Sequence, residues 1–222
     1  MSGSLKPRQL RARLVAEQLA ARDITDAKVL RAMGTVPREC FVPADRRDQA
    51  YDDRPVSIGA GQTISQPYIV AYMVQALHLK GGEKVLEIGA GSGYAAAVLA
   101  EIAAEVYAIE RIGTLSEFAT SNLASAGVTR VRVRHADGTE GWPEEAPFDA
   151  ILVSAGAPEV PKHLLDQLKI GGRMVIPVGA DPTAQELIRI TRTGAHTYER
   201  AHLTSVRFVP LIGSEGWGED VT

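Results

Sequence analysis

The stretch Val85-Leu86-Glu87-Ile88-Gly89-Ala90-Gly91-Ser92-Gly93-Tyr94 constrains the fold of this chain more than any other segment. It reads as a buried strand, a tight turn of alternating glycines and the first residue of a helix. Glycine suits such a turn because it takes positive φ and allows close backbone approach at little cost. A strand–turn–helix unit of this kind belongs to a parallel sheet covered by helices. In such sheets the ligand crevice lies beyond the carboxyl ends of the central strands.

The surrounding chain agrees. From Lys84 onward, apolar runs alternate with helical segments: Val85–Ile88, Ala95–Ala104, Val106–Ile109, Leu115–Ala126, Val131–Arg134, Ala150–Val153, Pro161–Leu168 and Arg173–Val178. Continuous apolar strands indicate burial on both faces. Glu186–Arg192, Gly194 and His202–Pro210 then read as strand, turn and strand, which adds an antiparallel edge. Upstream, Leu5–Arg22 is an amphipathic helix with Leu10, Leu14 and Leu19 near one face. A short helix at Thr25–Met33 follows, then an irregular, proline-punctuated Val36–Gly61. A third helix is expected at Pro67–Leu77, where proline is tolerated in the first turn. The expected architecture is α/β: a doubly wound Rossmann-like fold with a mostly parallel sheet, an antiparallel C-terminal edge and an N-terminal helical cap. A chain of 222 residues carries one sizeable core and is short for two. We divide this single domain into a cap and substrate segment (1–80), a cofactor-binding core (81–213) and a tail (214–222).

Composition narrows the partners. With 24 Lys and Arg against 27 Asp and Glu, the net charge is −3, opposite to the basic excess of nucleic-acid binders. Cys40 is the single cysteine, which excludes an intrachain disulfide and a cysteine-rich metal centre. Charges break every apolar run of the first twenty-odd residues, and no stretch of about 18 apolar residues appears. The expectation is a cytoplasmic monomer with no membrane, nucleic-acid or metal partner.

The glycine spacing separates two cofactor classes. Gly89, Gly91 and Gly93 form G-x-G-x-G, whereas the dinucleotide fingerprint is G-x-G-x-x-G, and Tyr94 occupies the place of its last glycine. The next strand tips carry acids. Glu110, followed by Arg111, ends the second strand, where a carboxylate accepts bonds from ribose hydroxyls. Asp137-Gly138 ends the third, where a carboxylate reaches an adenine amino group. Three such tips in succession, with Ala90 and Ser92 completing the turn, indicate an adenosyl site. Glu87 decides the rest: a carboxylate beside a bound cation is favourable, and beside a pyrophosphate it is not. The cofactor read from these residues is S-adenosylmethionine, leaving S-adenosylhomocysteine as product, rather than NAD, and the expected doubly wound Rossmann-like fold is then that of the class I methyltransferases.

A second segment faces the acceptor. Gly61-Gln62-Thr63-Ile64-Ser65-Gln66-Pro67-Tyr68-Ile69-Val70 is a loop feeding a helix. On local grounds Ser65 either caps that helix or serves a ligand at its amino end. The segment resembles the characteristic one of the protein-L-isoaspartate (D-aspartate) O-methyltransferases. Val36–Pro43, the glycine turn, Phe148–Val153, Leu168–Val178 and Phe208–Leu211 are similar to that family as well, so the likeness runs from about Leu5 to Gly213. It implies methyl transfer to the free α-carboxylate of L-isoaspartyl (or D-aspartyl) residues in damaged proteins or peptides, an ester that closes to a succinimide and reopens partly to normal aspartate. It implies Ser65 as the active-site and substrate-binding residue and Gln62, Thr63 and Ile64 as the segment around the cofactor. Val209, Pro210 and Leu211 would be the strand whose backbone holds the substrate. Val70, Ile212 and Trp217 depart from residues seen in some members.

The chemistry asks little of acid–base groups. A carboxylate is ionised at pH 7 and needs no strong base, and in-line displacement is a problem of alignment. The five histidines are accordingly scattered. Two other readings share the scaffold: a carboxyl methyltransferase tailoring small molecules or peptides, and a non-catalytic adenosyl-binding module.

Overall fold

The structure is a computed structural model that describes residues 6–221. Leu5, the first residue of the expected N-terminal helix and of the family likeness, lies outside the described residues. The cap begins with α1 (Pro7–Leu14), which continues as a π-helical turn over Val15–Ala20. Helix α2 (Ala27–Thr35) starts where Asp26 accepts the backbone N–H groups of Lys28 and Val29, an ordinary N-cap. A hairpin of β1 (Val56–Gly59) and β2 (Gln62–Ile64) leads into α3 (Pro67–Ala76).

The core follows as β3 (Lys84–Ile88), α4 (Tyr94–Ala100), β4 (Glu105–Glu110), α5 (Gly113–Ser125), β5 (Val131–His135), β6 (Phe148–Val153), α6 (Lys162–Gln167), β7 (Leu168–Asp181), β8 (Ala184–Arg192) and β9 (Tyr198–Val206). The strands form one sheet in the order β5-β4-β3-β6-β7-β8-β9. β5 through β7 are parallel, and β8 and β9 close the far edge antiparallel. From β3 the chain runs outward to β5 and then returns to β6 on the other side of β3. The order therefore reverses between β3 and β6, where a doubly wound sheet opens its crevice.

Both faces of the sheet are buried, as the continuous apolar runs require. Val85, Val106 and Leu152 pack with Leu99 of α4, Leu77 and Phe41 of the cap. Their neighbours Leu86, Tyr107, Ile151 and Val153 pack on the opposite side with Leu164 and Met174. Successive residues thus enter different cores, the period-two signature of a strand covered on both sides. No described helix is long and apolar enough to cross a membrane.

Two differences from the expected elements matter for the site. The segment 36–61 is more ordered than its prolines suggest. It holds short 3₁₀ turns at Arg38–Cys40 and Ala44–Gln49, then β1. The hairpin tip, Ala60-Gly61, has φ of +49° and +72°. A tight two-residue hairpin turn demands that left-handed pair, usually signalled by Asn-Gly, and an alanine conceals it. The last strand ends at Val206, so the expected run to Pro210 is too long. The chain beyond it leaves β8 and pairs instead with Gly156, in a bridge centred on Pro210, which has no N–H for a ladder.

Gly93 heads α4 with φ +86°, and a Cβ there would stand 3.2 Å from both Ala119 O and Leu123 Cγ. Gly93→Ala combines left-handed strain with overpacking against a backbone oxygen. We expect it to cost about 2–4 kcal/mol, read as a lowered urea midpoint with unchanged slope.

Candidate active site

The crevice opens at the carboxyl ends of β3, β4 and β6 and has two adjoining lobes. Thr63, Gly89, Gly91 and Ser154 line both. The first lobe is completed by Ile64, Ser65, Glu87, Ala90, Ser92 and Tyr94, among others. The second is walled by Gln62, Glu110, Arg111, Gly138 and the strand Val209-Pro210-Leu211. The upstream Gln62–Ser65 segment and the glycine turn therefore meet in one cavity.

The turn is built from backbone. Gly89 and Ala90 both donate to Ile109 O, at 2.9 and 3.0 Å, and Gly93 N–H donates to Ala90 O at 2.7 Å. Gly89, Gly91 and Gly93 all take positive φ. The β1–β2 hairpin lies over this turn: a Cβ on Gly91 would come within 3.3 Å of Ile58 Cδ1. Glu110, only 6% exposed, braces the turn from β4. Its carboxylate accepts the Gly91 N–H at 2.8 Å and the Ile112 N–H at 2.9 Å. Both oxygens retain lone pairs for hydroxyl donors in the second lobe.

Glu87 is the electrostatic centre of the first lobe. It is 1% exposed; one carboxylate oxygen accepts a long bond from Ser154 Oγ, 3.4 Å, and Oε2 has no partner. Burial drives its pKa well above the usual carboxylate range, and the nearby Glu110 charge adds to the rise. An orphaned buried carboxylate on a cavity wall fits a ligand ammonium, which a sulfonium nucleoside with an amino-acid tail supplies. The donor set therefore fits S-adenosylmethionine.

A pH-dependent consequence follows. A folded-state pKa raised above the unfolded value costs stability as pH rises from the ordinary carboxylate range toward the folded value. Glu87→Gln should thus match the parent's unliganded melting temperature at acidic pH and exceed it increasingly as pH rises above the ordinary carboxylate range. The same variant should bind S-adenosylhomocysteine about tenfold to hundredfold more weakly, through loss of a charged hydrogen bond. Paired melting curves and calorimetric titrations check both halves.

Ser65 sits between β2 and α3, half-buried. The N-cap of α3 is Gln66, which makes no side-chain cap bond; Ser65 makes none either, and it lines the lobe that Glu87 and the turn share. On the opposite wall, Val209–Leu211 is fixed by main chain: Gly156 N–H donates to Val209 O at 2.8 Å and Leu211 N–H to Gly156 O at 2.7 Å. The buried Gln185 steadies its approach by accepting the Phe208 N–H at 2.8 Å while donating to Pro182 O.

Asp137 and Gly93 stand apart from the cavity wall. The Asp137 carboxylate accepts from Thr139 N–H and Oγ1 through one oxygen and from Ser214 N–H, 2.7 Å, through the other. Partial burial works to raise its pKa, but these bonds outweigh it and hold the group below its ordinary value. It anchors the segment after Leu211. Trp217 Nε1 donates to Gly156 O, and Arg111 pairs with Glu219 at 3.0 Å, so that segment folds back beside the second lobe. Gly138 reaches the wall where Asp137 does not. Sequence reasoning missed Ser154, at the tip of β6, although a residue directly after the strand beside the reversal point is where the crevice must open.

Comparison with known proteins matches this geometry. The family model for protein-L-isoaspartate(D-aspartate) O-methyltransferase matches residues 9–216. Protein-L-isoaspartate O-methyltransferase 1 of Rhodopseudomonas palustris is 60% identical over 207 residues, covering 93% of this chain and 84% of the relative. Protein-L-isoaspartate O-methyltransferase 2 of Marinobacter nauticus is 59% identical over 208 residues, covering 94% and 95%. A solved protein-L-isoaspartate O-methyltransferase superposes with a TM-score of 0.82 at 27% identity, over 95% of this chain and 67% of that one. A Plasmodium falciparum structure described under the same enzyme name, in complex with S-adenosyl-L-homocysteine, gives 0.78 at 26% identity, over 94% and 99%.

Proposed function

The chain belongs to the protein-L-isoaspartate(D-aspartate) O-methyltransferase family, and from that premise we propose how its crevice carries out methyl transfer to the free α-carboxylate of L-isoaspartyl residues. The observation that carries the reading is the shared lobe: Ser65, with an uncommitted hydroxyl, lines the same cavity as Glu87 and the glycine turn. S-adenosylmethionine, when bound, supplies an electrophilic methyl group on its sulfonium. Glu87 would meet the ammonium of its amino-acid tail and Glu110 the ribose hydroxyls. Gly89, Ala90, Gly91 and Ser92, in the turn that Gly93 sets, would hold it together with Gln62, Thr63 and Ile64, and Arg111 and Gly138 would serve the nucleoside. Asp137 acts there indirectly, by holding the segment at Ser214.

On the acceptor side Ser65 donates its hydroxyl hydrogen to one oxygen of the substrate carboxylate and leaves the other free to attack. The oxygen–carbon bond forms as the carbon–sulfur bond breaks, and no proton leaves the substrate. Catalysis is alignment in a cavity that keeps the reactants together. Val209, Pro210 and Leu211 hold the substrate main chain on the facing wall. In this reading residues 1–80 present the acceptor site, 81–213 the donor site, and 214–222 a tail. The protein works as a cytoplasmic monomer on damaged proteins and peptides.

Repair is separable from tailoring by following the product. An isoaspartyl peptide incubated with enzyme and cofactor should gain one methyl group, then lose methanol to a succinimide, then yield a partly normal aspartyl peptide. A stable ester that accumulates without closing would favour the tailoring reading.

A further inference from the structure

Arg38 is the largest fully buried side chain of the molecule, 0% exposed, and among the described residues it has no carboxylate within ion-pair distance. Its guanidinium is instead spent on backbone. Nε donates to Ala50 O at 2.7 Å and Nη2 to Ser65 O at 2.9 Å, while Nη1 has no partner. The guanidinium carbon lies 4.7 Å from the centroid of the Tyr94 ring, a cation–π distance. Tyr94 is the first residue of α4, directly after the glycine turn, and is buried. The same side chain therefore touches the loop that carries Ser65 and the helix that opens the donor site.

A buried cation with no carboxylate in ion-pair contact, only the more distant charge of Asp53, is costly, and an apolar side chain of similar volume would stabilise the fold at such a place. What an apolar residue lacks is a rigid fork able to hold carbonyls on two separate segments at once; lysine, a flexible point charge, lacks it as well. We propose that Arg38 is the positioning residue of the acceptor site. Through Ser65 O it fixes the peptide plane between Ser65 and Gln66, and hence the direction in which the Ser65 hydroxyl points across the lobe from the glycine turn. The proposal rests on Ser65 as the residue that meets the substrate carboxylate.

A double-mutant cycle in the whole protein tests it. Arg38→Lys, Arg38→Met, Ser65→Ala and the two double variants are compared for kcat and KM with an isoaspartyl peptide and for calorimetric affinity for S-adenosylhomocysteine. Arg38→Lys and Arg38→Met should each lower kcat/KM about tenfold to hundredfold while nucleoside affinity stays within about threefold, because the interaction removed serves the transition state. In the Ser65→Ala background either Arg38 substitution should add less than about threefold, since residues acting as one unit are not additive. Equal losses in both backgrounds, or nucleoside affinity falling in parallel with turnover, would overturn the proposal. Normal turnover of Ser65→Ala itself would instead remove the reading on which it rests. Should the Arg38 variants fail to fold, replacing Gln66 by its α-hydroxy acid turns the Ser65 amide carbonyl into a weaker ester acceptor with every side chain kept. The same loss of kcat is expected, and full activity would overturn the assignment.

Discussion

Ser65→Ala should lower kcat/KM for an isoaspartyl peptide about tenfold to hundredfold, with S-adenosylhomocysteine affinity unchanged. The hydroxyl supplies one hydrogen bond to a charged acceptor, worth about 1.5–3 kcal/mol, and each 1.4 kcal/mol is a factor of ten in rate. The structure gives the hydroxyl no competing employment: the α3 N-cap is Gln66, and Ser65 is tied to the protein through its carbonyl. Stability should therefore barely move. If nucleoside affinity fell together with turnover, Ser65 would be a cofactor residue. If melting fell with both, it would be a structural one.

Glu110→Ala should have the larger effect on the donor site. Removing this carboxylate strands the Gly91 and Ile112 N–H groups, which now end at 2.8 and 2.9 Å on its oxygens, and also deletes the acceptor for the ribose hydroxyls. Each buried donor left unpaired costs about 1–3 kcal/mol. The two stranded donors lower stability, and the ribose hydroxyls left unpaired should cost about 1–3 kcal/mol of nucleoside affinity, roughly fivefold to more than a hundredfold. Glu110→Gln retains one acceptor oxygen and should recover part of both. An alanine variant that binds S-adenosylhomocysteine as tightly as the parent would contradict the assignment of Glu110 to the nucleoside.

What could be read in advance follows from the range of the physics involved. The glycine turn was legible because positive φ restricts residue choice locally, and all three glycines adopt it. Glu110 was legible as the last residue of an apolar strand pointing at a crevice whose location the topology dictates. The mostly parallel sheet and its antiparallel edge followed from runs of burial on one or both faces. The hairpin over the turn was hidden because Ala60 takes the place where Asn or Gly would announce it. The surroundings of Asp137 were out of reach for a different reason: Ser214, far along the chain, comes back to donate its N–H to the carboxylate. Arg38 stood in a familiar motif, yet nothing local connects it with Ala50 and Ser65; only the tertiary fold brings those carbonyls to its fork.

One cavity joins the sulfonium donor to the isoaspartyl carboxylate. The most direct measurement uses S-adenosylmethionine labelled in its methyl group and two peptides identical except for an isoaspartyl or a normal aspartyl linkage. Base-labile label should appear in the isoaspartyl peptide at a rate at least about a hundredfold above its twin, in keeping with a site that rejects a misplaced carboxylate by leaving its polar groups unpaired. Equal labelling of both peptides, or labelling of neither, would contradict the account.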